Sequence, residues 1–211
     1  MNFTKARRFA TYAWGTLLRP GTAFEMLLAE PLPISYGSLA ILLAGTLYTI
    51  TVIIGYLNGF GAAVPPFLPI AAQDYYLAEA FFTIPVFWIC ALILAAVVQF
   101  LSAFSGGKGK FEDCVAVAGF SLFITIIPFM WIPETIMVVF NLHSPVVELA
   151  GTIGLDPTVD LIFRQCGTVL WQLTVTLIGV KKVQQLSWRK TLVIGLAGFI
   201  VYVVVFWTYI R

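Results

Sequence analysis

Four ionisable residues, Glu79, Glu134, Asp160 and Arg164, stand inside or at the edge of long apolar runs. A charged group at the centre of a membrane helix costs about 2.5 to 3.5 kcal/mol on insertion scales, so such groups face the interior, a cavity or one another. Asp160 and Arg164 are four residues apart, the separation that lets opposite charges pair on one helix face. Three carboxylates against one guanidinium leave excess negative charge, which can bind a cation or exchange a proton. Glu134 follows Pro133, where backbone groups left unbonded by proline coincide with a carboxylate, as they do in discontinuous transporter helices. The same residues have a structural reading. Glu79 and Asp160 stand close enough to an interface to be hydrated, Arg164 can snorkel or hold Asp160, and Glu134 suits the positive end of a restarted helix.

Little else in the chain offers chemistry. Gly106-Gly107-Lys108-Gly109-Lys110 lacks the spacing and the final Lys-Ser/Thr of a phosphate-binding loop, and reads as a flexible basic turn. His143 is the single histidine and has no cysteine nearby, which argues against a metal site. Cys90, Cys114 and Cys166 have no ligand spacing and read as core residues. No pair of nucleophile and base is present, so the chain reads as a non-enzyme with no catalytic residue, cofactor or metal assigned.

The elements that must position these groups follow from composition. Of 211 residues 60% are apolar and 10% charged, and the mean hydropathy is +0.96. So few charges cannot cover a soluble domain, which nearly excludes a water-soluble enzyme. A net charge of +2 in scattered clusters also argues against nucleic acid as a partner. The fold class expected is an all-α polytopic membrane bundle. A helix needs roughly 20 apolar residues to cross the bilayer. Five runs qualify: Ile34 to Leu57, Tyr75 to Phe104, Cys114 to Phe140, Val159 to Val180 and Thr191 to Ile210. Pro128 and Pro133 are expected to kink or break the third. Gly55, Gly59, Gly195 and Gly198 would allow close helix approach. The loop 58–74 is apolar yet holds Pro65, Pro66 and Pro69, and is read as lying at an interface or dipping inward.

Basic loops stay cytoplasmic. Lys5, Arg7, Arg8, Arg19, Lys108, Lys110, Lys181, Lys182, Arg189 and Lys190 share one side of a five-span chain, while 58–74 and 141–158 contain no Lys or Arg. The N-terminus is therefore expected in the cytoplasm and Arg211 outside. The apolar stretch Ala10 to Leu18 ends at Arg19-Pro20 without a cleavage pattern, so no secretory signal is read there.

Residues 1–30 form a separate unit from the membrane domain 31–211. Phe3, Ala6, Phe9, Ala10, Ala13, Trp14, Leu17 and Leu18 recur at helical spacing opposite Lys5, Arg7, Arg8 and Thr11. This pattern predicts an amphipathic interfacial helix with Lys5, Arg7, Arg8 and Trp14 as contacts for lipid or a partner; the alternative packs its apolar face on the protein itself. Thr22-x-x-Glu25 matches a capping box that would start a second short helix.

The order of these pieces resembles the Yip1 domain family. The resemblance rests on Arg19-Pro20 with Phe24, the Gly106-Gly107-Lys108 turn, Phe111, the run Val117-Ala118-Gly119-Phe120-Ser121 and Pro128. It continues through Trp171-Gln172-Leu173, Ile178-Gly179-Val180-Lys181 and Gln185-Leu186-Ser187. Eukaryotic members of that family carry a long cytoplasmic region with an Asp-Leu-Tyr-Gly-Pro motif and are associated with Rab-type GTPases and vesicle traffic. Only residues 1–33 precede the first expected span here and they hold no such motif. The departure implies a prokaryotic-type member in the cell's cytoplasmic (inner) membrane, and no functional residue carries over. The leading expectation is a membrane-organising scaffold that works through the lipid bilayer, a membrane-protein partner or a homo-oligomer. The rival is a cation or proton transporter or channel built on Glu79, Glu134, Asp160 and Arg164.

Overall fold

Backbone amides in a hydrocarbon core must bond within their own segment, so a chain this apolar folds as helices. The computed structural model describes residues 3–62, 66–140 and 166–210, and these contain no strand. α1 (Phe3–Leu18) and α2 (Pro20–Leu28) form an N-terminal hairpin. α3 (Ile34–Leu57) follows, then a short 3-10 turn leads into α4 (Tyr75–Ser105). α5 (Phe111–Ile126), a π-helical segment (Ile127–Trp131) and α6 (Ile132–Val139) make one continuous rod. A second π-helical segment, Cys166–Trp171, leads into α7 (Gln172–Gln184), and α8 (Trp188–Tyr209) closes the bundle. Ile34–Leu57, Ala72–Ser105, Phe111–Val139 and Trp188–Tyr209 are long and apolar enough to cross a membrane. The fourth expected span is described only from Cys166 onward, and Asp160, Arg164 and His143 lie outside the described residues.

Two expectations about helix starts and breaks are corrected. α2 begins at Pro20, with Arg19 as N-cap and no side-chain cap bond, so Thr22 lies within the helix and does not cap it. The fixed φ of proline and its missing N–H suit the first helical position. The third span is not broken at its prolines either. The turn widens, so that the Ile132 N–H reaches back five residues to the Ile127 carbonyl. A π turn of this kind accommodates two residues that lack donors without interrupting the rod.

α5 is the centre of the molecule. Cys114 to Leu122 are all buried, and small residues there let neighbours come close. α3 runs parallel to it, and Gly37 lies directly against the Ala116 and Gly119 backbones. α7 runs antiparallel, with Gly179 against Val117 and Val183 against Gly109. α4 and α8 pair antiparallel along their length, from Leu94 and Val98 against Gly198 to the Tyr75 hydroxyl, which donates to the Tyr209 carbonyl at 2.8 Å. Of the flagged glycines, Gly55, Gly195 and Gly198 sit at close contacts. Gly59 has open space around it and a φ of +79°, so it serves a turn and not a packing contact. Cys90 and Cys114 are core residues as expected, whereas Cys166 is exposed.

The chain ends and turns sort by charge. The α1–α2 hairpin, the 106–110 turn and the 185–187 turn share one end, which carries the basic residues. At the opposite end none of the described residues of 58–62 and 66–74 is buried, so these residues lie over the surface of the bundle.

The Gly37–Gly119 contact yields a stability prediction. A methyl group on Gly119 would stand 2.5 Å from the Gly37 carbonyl oxygen, and backbone cannot rotate away as a side chain can. Gly119→Ala is expected to cost about 1–3 kcal/mol by overpacking, read as a lowered unfolding midpoint in detergent. A midpoint equal to that of the unmodified chain would show that the two helices part without penalty.

Candidate functional site

Two polar regions stand out, one at each end of the bundle. At the end opposite the basic residues, Glu79 sits one turn into α4 and is fully buried. Glu134 follows Pro133 at the start of α6, which continues the α5 rod through the π-helical segment, so the helix does not restart there. The structure brings the two together: both carboxylates act electrostatically on the Tyr48 hydroxyl of α3, as does Tyr76. Around them, the Trp131 indole N–H donates to the Leu47 carbonyl at 3.0 Å, and Thr51 Oγ1 and Thr135 Oγ1 are 2.8 Å apart. Asn58 Nδ2 donates to the Val138 carbonyl at 2.7 Å. The two π-helical segments meet beside this region, where Gly167 leaves room for the Phe129 ring. Glu79 is buried in protein and not hydrated at an interface, and of the four flagged ionisable residues it and Glu134 are the described ones.

At the basic end the Gly-rich turn is neither a phosphate cradle nor a flexible link. Gln184, the last residue of α7, accepts from the Gly109 N–H at 3.2 Å through Oε1, and its carbonyl accepts from the Lys108 N–H at 3.2 Å. Its Nε2 donates to Gln99 Oε1 at 3.0 Å and lies 3.1 Å from Cys114 Sγ. Gln99 Nε2 closes the loop by donating to the Gly109 carbonyl at 3.1 Å. Gly107 and Gly109 are glycine because a Cβ at either would strike Gln184 or its neighbour Val183. The turn is thereby strapped to the end of α7, and α4, α5 and α7 are tied in one knot.

Five of the ten basic residues at this end, Lys5, Arg8, Lys181, Lys182 and Lys190, are engaged within the protein. Arg8 pairs with Glu30, with Nη1 at 2.9 and 3.1 Å from its two carboxylate oxygens, and Tyr12 donates to the same carboxylate. The Glu30 charge raises the Arg8 pKa, and burial followed by the Glu30 bond raises that of Tyr12, so Tyr12 stays a donor. Lys182 pairs with Glu25, which ties α2 to α7. Lys5 stands 5.4 Å from the Tyr36 ring centroid, Lys190 donates to the Ser105 carbonyl at 2.8 Å, and Lys181 donates to the Leu186 carbonyl. Phe9 packs on Phe120 and Phe123 with ring centroids 5.4 Å away in each case, and Tyr12 meets Tyr36 edge-on at 5.3 Å.

The expected lipid or partner contacts thus divide. Lys5 and Arg8 are turned to internal partners, while Arg7 and Trp14 face outward. Sequence periodicity could not separate them, because Glu30 and Tyr36 reach Arg8 and Lys5 from other elements.

The model of the Yip1 domain matches residues 14–210, from the second half of α1 to the end of α8. The chain belongs to the Yip1 domain family. No curated protein and no solved structure matches it. This Yip1 domain protein is an integral membrane protein by family and by its apolar helices. The match includes the Gly106-Gly107-Lys108 turn and the Gln184 end of α7, the two sides of the polar knot.

Replacing Gln184 tests that knot. Gln184→Leu removes the acceptor of the Gly109 N–H and the amide donor to Gln99 Oε1, at a cost of about 1–2 kcal/mol. The checks are a lower thermal midpoint and faster hydrogen exchange at 106–110; unchanged exchange there would mean that the strap carries no weight.

Proposed function

We propose that this Yip1 domain protein is a non-enzymatic membrane-organising scaffold, with its basic end as the working surface. In this reading it has five spans, an N-terminus in the cytoplasm and a C-terminus outside, in a prokaryotic cytoplasmic membrane. The described part of the remaining span, Cys166 to Gln184, is about 28 Å long at 1.5 Å per residue, close to the hydrocarbon thickness. Ten of the chain's twelve Lys and Arg lie at the basic end, which accords with a cytoplasmic position.

One observation carries the proposal. The α1–α2 hairpin is closed on itself by Arg8–Glu30 and fixed to the bundle by Lys182–Glu25 and the Phe9 stack, and from this fixed base it holds Arg7, Trp14 and Arg19 exposed. A surface held this rigidly is suited to recognition, because little ordering entropy is lost when something binds to it. The interior beside it is closely filled: the cavity among Leu94, Val98, Cys114, Val117 and Thr176 has a volume of about 10 Å³, room for one water molecule. The partners are the lipid bilayer and, at the Arg19 side of the hairpin, a membrane protein or a second copy of the chain, with no nucleic acid and no cofactor involved.

A photoreactive residue at Arg19 in intact membranes is expected to trap a discrete adduct, which Glu25→Ala with Glu30→Ala, by loosening the hairpin, removes. The same adduct from the loosened variant would sink the scaffold reading. Orientation has its own check. In a Cys166→Ser chain carrying Lys108→Cys, an impermeant maleimide should label only after cells are permeabilised; labelling of intact cells reverses the topology.

A second reading is favoured by the burial of Glu79 beside Glu134 and Tyr48 next to a π-helical turn, a pattern met where helices are interrupted for ion or proton passage. Proteoliposomes under a pH or cation gradient separate the two. Flux in the unmodified chain that Glu134→Gln abolishes would make the protein a transporter; equal, background-level leak in both belongs to the scaffold.

A further inference from the structure

α1 has three flanks and only one of them is buried. At 3.6 residues per turn, Phe9, Tyr12 and Thr16 share the flank that packs on the bundle. Ala10, Phe3 and Trp14 project within about 40° of one another on a second flank, and Thr11, Thr4 and Arg8 within about 60° on a third. Arg7 and Leu18 mark the border between the second and third. The second flank is apolar and open: Phe3 is 87% exposed, Leu18 70% and Trp14 65%. The side chain of Arg7 is exposed and forms no ion pair with a described residue.

The position of α1 along the bundle identifies what covers that flank. Phe9 stacks on Phe120 and Phe123, about 14 to 18 Å along α5 from Phe111, and Lys5 and Tyr12 both meet Tyr36 in the first turn of α3. The helix therefore lies beside the membrane rods and not beyond their ends, at the depth where headgroups give way to acyl chains. Other exposed side chains at the same end have the composition of an interfacial belt: Phe104, Phe111 and Trp188 with Lys108, Lys110 and Arg189. The charge at this depth is positive, and of the nearby acids Glu25 and Glu30 are already paired with Lys182 and Arg8.

We propose that the outer flank of α1 is covered by the anionic leaflet of the bilayer that the protein spans, with Arg7 on a lipid phosphate and Phe3, Trp14 and Leu18 among the upper acyl chains. This rests on the reading of the hairpin as the working surface and names its occupant. Arg8 and Lys5 take no part, being held by Glu30 and Tyr36. The third flank, with Thr4 and Thr11, faces water. The in-plane amphipathic helix is thus also a fixed part of the bundle, which couples the tilt of the spans to the lipid surface.

The test uses the full chain in a Cys166→Ser background, spin-labelled at Phe3→Cys, Trp14→Cys, Thr4→Cys or Thr11→Cys, in vesicles of phosphatidylcholine mixed with phosphatidylglycerol. Labels at 3 and 14 are expected to be accessible to oxygen and shielded from a water-soluble nickel chelate, and labels at 4 and 11 the reverse. A label at 14 that meets the nickel chelate as readily as one at 11 overturns the proposal. One shielded from both reagents also overturns it, by placing a protein there. The charge is tested separately: Arg7→Gln should lower the preference for retained phosphatidylglycerol over phosphatidylcholine about fivefold, the weight of one basic residue at an anionic surface, and Arg7→Lys should restore it. An unchanged preference removes Arg7 from the site. A scaffold whose protein partner is never found would still pass, and a partnered one with α1 in water would fail, so the two readings fall separately.

Discussion

The contact between the backbones of α3 and α5 at Gly37, Ala116 and Gly119 sets the rest of the bundle. In lipid, helices gain nothing by hiding apolar side chains from one another, and association depends on how closely their surfaces fit. α5 meets that demand with a run of small and β-branched residues from Cys114 to Ala118, which lets α3, α4 and α7 surround it. The exposed side chains of the outer helices, such as Phe81, Phe100 and Val193, are the complement of this arrangement. They are what a helix shows to lipid once its inner face is committed. The hairpin follows from the same centre, since Phe9 finds its seat on Phe120 and Phe123 of α5.

Polar groups are placed where the membrane tolerates them, and each end handles them differently. At the basic end they form ties between neighbouring chain ends: Gln184 with the Gly109 turn, Lys190 with the end of α4, Lys182 with α2. A cationic side chain on a terminal carbonyl also meets the negative end of a helix dipole, so Lys190 acts as a C-terminal cap of α4, while Lys181 holds the Leu186 carbonyl in the turn after α7. At the other end polar groups are drawn into the bundle, with Glu79, Tyr48 and the Thr51–Thr135 pair set between α3, α4 and α6. Between them Tyr202 donates to Gln172 at 3.1 Å and joins α7 to α8.

Hydropathy made the apolar part of each helix legible and hid what lies beyond it. α3 is bounded as expected, at Ile34 and Leu57, because Pro33 and Asn58 flank an uncharged run. α5 begins at Phe111 and α8 at Trp188, each three residues before its apolar run, because Glu112-Asp113 and Arg189-Lys190 are helical residues outside the hydrocarbon and read as loop. The π-helical segments were not legible: two prolines in an apolar run signal a break, and a widened turn that carries them without one leaves no mark on hydropathy. Of the candidate site, the convergence of Glu79 and Glu134 could be inferred from topology, since both stand near the same end of adjacent spans. The engagement of Lys5, Arg8 and Lys182 could not, because no local pattern links Lys182 to a glutamate 157 residues away.

The periodicity of α1 shows why an amphipathic pattern underdetermines function. A helical stripe holding Phe3, Phe9, Ala13 and Trp14 is wide enough to serve two neighbours, and sequence offers no means of dividing it. The structure divides it by reach. Phe9 and Tyr12 point at aromatic rings of α5 and α3, and Phe3 and Trp14, about a third to a half of a turn away, find no such seat. Burial of Phe9 and Tyr12 alone would make α1 a structural strut, and exposure of Phe3 and Trp14 alone would make it a loose membrane anchor. Having both on one helix means that a pull on the exposed side is transmitted to α5, the element that α3, α4 and α7 surround.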